Sequence, residues 1–60
     1  MFGFMRVYEN GFVAINYTDS VCDALTLCTD ALYSGECHHV EVWHIYTGEK
    51  ILNYTCPTNN

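Results

Sequence analysis

Positive charge is what this sequence most lacks. Arg6 and Lys50 are its only permanent cations against seven carboxylates, for a formal net charge of −5. Nucleic-acid binders hold phosphates with clustered Lys and Arg, so this balance argues against direct binding of DNA or RNA. A basic protein surface, by contrast, would be attracted over about 8–10 Å at physiological salt. No apolar run approaches the roughly 20 residues that a membrane-spanning helix needs. The N-terminal stretch MFGFMRVYENGF is interrupted by Arg6 and Glu9 and lacks a small-residue cleavage site, so it does not read as an export signal. A cytoplasmic location is therefore expected, with Cys22, Cys28, Cys37 and Cys56 as thiols. The triplets at Asn16 and Asn53 match the glycosylation pattern, which matters only in a secreted chain. The paired Cys-x-x-Cys spacing of zinc sites is missing, as is any catalytic or cofactor motif.

Half of the 60 residues are hydrophobic and 15% are aromatic, which is too apolar for a disordered chain. A chain of this length forms one domain, 1–60, and buries only about 60% of the surface it exposes when unfolded, so self-association would help it.

The stretch Thr18–Gly35 carries the one clear helical period. At about 100° per residue, Val21, Ala24, Leu25, Cys28, Ala31 and Leu32 gather on one side and Asp19, Asp23, Thr26 and Asp30 on the other. Asp19 or Ser20 supplies the N-cap, and Ser34-Gly35 the left-handed stop.

On either side lie two alternating pairs of segments. Residues 4–17 break at Glu9-Asn10-Gly11, a three-residue hairpin loop with Gly11 as the bulge residue. A two-residue turn would put Arg6 across from Ile15. The three-residue loop pairs Met5 with Ile15, Val7 with Val13 and Arg6 with Ala14, and is preferred because it directs Met5, Val7, Val13, Ile15 and Tyr17 inward and Arg6 outward. The second pair, HVEVWHIY and KILNYTC, turns around Tyr46-Thr47-Gly48 and is expected to pair Trp43 with Ile51, Val42 with Leu52 and Val40 with Tyr54. Pro57 and the polar residues after it predict a frayed tail at 57–60. The whole is an α+β, two-layer domain of ββαββ order: a mainly antiparallel four-stranded sheet with one helix across one face.

Two surfaces follow. The second sheet face would carry Phe4, Tyr8, Phe12, Trp43, Ile45 and Ile51 with no element to cover them, which is how an interface with a partner or a second copy of the chain reads. Asp19, Asp23, Asp30 and Glu36 form an acidic stripe, either a solvated face or a set of carboxylates spaced to enter a groove built for phosphates. Cys37, His38 and His39, with His44 and Cys56 nearby in the second hairpin, are the only set that could bind a metal, but the paired zinc spacing is missing and alternation puts His38 and His39 on opposite faces, so neither metal nor cofactor is expected. No thiol or carboxylate pair has a base and a pocket, so the chain reads as a non-enzyme.

The segment VEVWHIYTGEKIL resembles the strand, Thr-Gly-Glu turn, strand hairpin of many small phage and bacterial α+β proteins. With its length, acidity and uncovered aromatic face, the chain resembles phage-encoded inhibitors of host machinery, including anti-CRISPR proteins. That resemblance implies occlusion of a basic nucleic-acid-binding site in the host cytoplasm by a small acidic protein, and it assigns no functional residue. The alternative is a structural or assembly protein acting through its own homo-oligomer.

Overall fold

In the computed structural model, which describes residues 1–57, the chain runs β1 (Phe2–Tyr8), β2 (Val13–Thr18), α1 (Val21–Tyr33), β3 (Cys37–His44) and β4 (Lys50–Thr55). The strands form one antiparallel sheet in the order β2-β1-β3-β4, and α1 crosses one face. This is the expected ββαββ architecture. Pro57 is exposed beyond β4, and the rest of the expected tail, 58–60, lies outside the described residues.

The helix begins where the sequence places it. Ser20 is the N-cap, its Oγ accepting from the Asp23 N–H at 3.2 Å. It ends at Ser34, with Gly35 at φ +79° and its N–H donating to the Leu32 carbonyl. Ala24 and Cys28 are fully buried, and Leu25, Ala31 and Leu32 pack around them, so the helix presents the face that its period predicts.

The first hairpin has the expected register, Met5 with Ile15, Val7 with Val13 and Arg6 with Ala14, closed by Gly11 at φ +88°. Its facing is the reverse of the expectation. Phe4 is buried in the core beside Val40, Val42, Cys28 and Cys37, and Tyr8 packs against that cluster. Met5, Val7, Val13, Ile15 and Tyr17 consequently lie on the face away from α1.

Two contacts account for the reversal. The Trp43 indole lies so close over Gly3 that a Cβ there would come within 2.4 Å of it, which commits odd-numbered β1 residues to the side of Trp43. Arg6, whose charge argued for the outward side, stays at the margin of the helix-covered face. Its guanidinium lies 5.5 Å from the centre of the Phe4 ring and donates to Asn16 Oδ1 at 2.6 Å.

The second hairpin keeps Val42 with Leu52 and Val40 with Tyr54, but Trp43 pairs with Lys50 instead of Ile51. One extra residue on β4 forms a bulge there, because the loop closes through Gly48 N–H to the His44 carbonyl and His44 N–H to the Glu49 carbonyl, one residue longer than expected. Among the described residues no helix is long and apolar enough to cross a membrane.

Candidate interaction surfaces

The helix layer is acidic, and its exposed carboxylates form no ion pair among the described residues. Asp19, Asp23, Asp30 and Glu36 are all exposed, and none lies within 4 Å of a cationic group among the described residues. Asp19 ends the β2–α1 connection, Asp23 sits in the first helical turn, Asp30 in the last, and Glu36 just before β3. Glu9 adds a fifth carboxylate near the Glu36 end, 3.9 Å from His38 Nδ1, too far for a hydrogen bond. Of the two permanent cations, Lys50 is on the opposite face of the sheet, while Arg6 is hydrogen-bonded to Asn16 across the groove from Asp23.

The open sheet face divides along its middle. Over β1 and β2 it is apolar: Met5 and Val7 are half-buried, while Val13, Ile15 and Tyr17 are 47%, 50% and 61% exposed. Over β3 and β4 it is a polar chain. Glu41 accepts from Lys50 Nζ at 2.8 Å and meets His39 Nε2 at 2.7 Å, and His39 Nδ1 meets Thr55 Oγ1 at 2.7 Å. The Lys50 hydrogen bond first, and the His39 bond second, hold the Glu41 carboxyl below its usual range. Trp43 lies at the boundary, half-buried over Gly3.

The expected sheet-face set is therefore only partly together. Trp43 is on the open face as predicted, whereas Phe4 is 3% exposed in the core and Tyr8 packs beside it. Phe12, 61% exposed, stands against Tyr8 at the hairpin end, with ring centres 5.9 Å apart. Ile45 is half-buried in the second loop, its N–H donating to the Met1 carbonyl, and Ile51 is 44% exposed at the β4 bulge. Gly3, which sequence reasoning missed, is the residue that lets Trp43 lie flat. Its signal was a glycine inside a strand pattern, where close approach of another group is the usual reason.

Beside the helix run two open grooves. Toward β2, one of about 650 Å³ has Phe4, Arg6 and Asn16 on the sheet and Asp23 and Thr26 on the helix. Toward β4, one of about 430 Å³ is lined by Leu32, Tyr33, Leu52, Tyr54 and Cys56. The candidate metal donors do not converge: Cys37 is in the core, His44 stacks edge-on against Phe2, and His39 is on the open face. No group of three such side chains placed to hold a metal ion occurs among the described residues. Cys28 is walled in, and burial raises its thiol pKa despite the nearby Arg6 charge, so it packs as a small apolar group.

No family model matches the chain, and neither curated proteins nor solved structures give a significant match to it.

Proposed function

We propose that this chain is a small acidic protein-binding module, an inhibitor that occludes a basic, nucleic-acid-binding surface on another protein without catalysing a reaction. The observation that carries this reading is the helix layer. Asp19, Asp23, Asp30 and Glu36 stand exposed and form no ion pair among the described residues, although Arg6 lies across a groove from Asp23. Asp23 and Asp30 are set seven residues apart along one face of the helix, with Asp19 and Glu36 beside its two ends, so together they can meet Arg and Lys side chains that otherwise grip phosphates. The resemblance to phage-encoded inhibitors, anti-CRISPR proteins among them, makes a host nucleic-acid-processing enzyme the partner class to try first, in the host cytoplasm.

The test is competition. Labelled DNA is bound to a panel of basic nucleic-acid-binding proteins and displaced by this chain at low and high salt. The expected result is displacement from at least one member that weakens steeply with salt and is lost when Asp19, Asp23 and Asp30 are all changed to Asn. Displacement equally strong at both salt levels, or unchanged in the triple variant, would end the electrostatic reading.

The second reading, a protein acting through its own oligomer, is favoured by the exposure of Val13, Ile15 and Tyr17 beside Trp43. Light scattering over a dilution series tests it, and a monomer throughout would remove it.

A further inference from the structure

The two edges of the sheet are built differently. β4 is guarded: it starts at Lys50, is bulged at Ile51, turns Asn53 and Thr55 outward and is followed by Pro57. Natural edge strands use such devices to refuse further strands. β2, at the opposite edge, reads Val-Ala-Ile-Asn-Tyr-Thr, with no charge, proline or bulge.

Its free hydrogen-bonding groups follow from the ladder. Tyr8 and Phe12 form a hydrogen-bonded pair at the turn, Tyr8 N–H donating to the Phe12 carbonyl at 2.8 Å. Antiparallel pairs alternate, so even-numbered β1 residues bond to β2, while Met1 and the odd-numbered residues bond to β3, as the Ile45 N–H to Met1 carbonyl bond shows. The backbone groups of Val13, Ile15 and Tyr17 therefore point out from the free edge, and their side chains are the exposed apolar ones of the open face.

We propose that β2 pairs antiparallel with β2 of a second copy about a twofold axis through Ile15, doubling the sheet. Ile15 then faces Ile15 of the second copy, and Val13 faces its Tyr17, each pair exchanging two backbone hydrogen bonds. On the helix side Ala14 meets Asn16, and the exposed Phe12 is covered beside Thr18 of the second copy. A copy of the same strand fits better than an unrelated peptide, because the outward groups are symmetric about Ile15 and the seam carries no charge. Asp19, the carboxylate that follows β2, does not oppose it strongly. Asp19 is four positions from the axis, so at about 3.4 Å per residue the two Asp19 residues stand roughly 27 Å apart, beyond the screening length of about 8–10 Å. Because β4 is guarded, assembly stops at the dimer instead of growing into a fibre. This inference is independent of the acidic-surface reading, and it puts the contact of the second reading at the sheet edge instead of across its face.

The experiment combines light scattering with amide hydrogen exchange on the full chain. The expected mass is twice that of the chain and falls on dilution. The Val13, Ile15 and Tyr17 amides should slow in exchange as concentration rises, while Ala14 and Asn16 stay slow throughout. Ile15→Lys sets like charges against each other at the axis, and Ile15→Pro removes the outward N–H without touching a bond to β1; both should be monomeric. If Ile15→Pro loses its circular dichroism, a synthetic chain with a methylated Ile15 amide replaces it. Trp43→Ala should remain dimeric. A monomer at all concentrations, a dimer that survives both Ile15 variants, or one lost in Trp43→Ala and kept in Ile15→Lys would each overturn the proposal. The competition test for the acidic helix is unaffected by any of these results.

Discussion

The face of the sheet under α1 and the β1–β2 half of the opposite face are made from nearly the same residue types and do opposite things. The face under α1 joins Phe4, Val40, Val42 and Cys37 to Ala24 and Cys28 with almost no exposure, and tolerates one charge, Arg6, only at its margin. Part of the face away from α1 carries Met5, Val7, Val13, Ile15 and Trp43, no less apolar as a set, yet no element among the described residues covers it. Composition does not separate the covered core from this apolar patch, although the β3–β4 half of the open face is charged and polar. Contact does: one side has a helix of matching period to pack against, and the other has only its own polar chain through His39, Glu41 and Lys50.

That contrast gives a graded set of mutations. Phe4→Ala should be the most damaging, at about 3–5 kcal/mol, because it empties a packed core site in a chain this small, and chemical denaturation should find it largely unfolded. Gly3→Ala should cost about 1–3 kcal/mol by pushing the indole off the strand, with a shift in Trp43 fluorescence that Phe4→Ala does not produce before unfolding. An unchanged midpoint would mean that Trp43 does not lie on Gly3. Met5→Ala, on the open face, should cost only about 1 kcal/mol. If it rivals Phe4→Ala, the faces are not as distinct as their exposures imply.

The smallest effect separates the polar half of the open face from the rest. Glu41 is held below its ordinary value of 4.5 by Lys50 and His39. A carboxyl depressed on folding adds stability above its unfolded pKa, and that contribution is lost as pH falls through the lower, folded value. Glu41→Gln should therefore lower stability slightly near neutrality and flatten its decline below about pH 4.5, as thermal midpoints across an acid series would record. A decline identical to that of the parent would show the ion pair to be irrelevant to folding.

Much of the fold was legible because it is local. The helix announced itself by the spacing of Ala24, Leu25, Cys28, Ala31 and Leu32 and by Ser20 and Gly35 at its ends, since caps and periodicity act within one turn. The registers of both hairpins followed from Gly11 and Gly48 in left-handed turns, with a slip only where the second loop proved one residue longer. The acidic residues were expected on the outer side of the helix, and all are exposed.

What the sequence alone determined, then, was which stretch is helical and which residues pair within each hairpin, short of the bulge beside Trp43. Which side of the first hairpin meets the helix was decided only by the tertiary structure. Alternation makes its two faces interchangeable, and the choice turns on contacts made far along the chain: Gly3 beneath the indole of Trp43, and Phe4 between Val42 and the helix. Arg6 misled because a charge argues for water, while a long side chain can sit at the rim of a core, lie near an aromatic ring and still reach a hydrogen-bond partner in Asn16. The difference between a guarded β4 and an unguarded β2 likewise appears only once the order β2-β1-β3-β4 makes those two strands the edges.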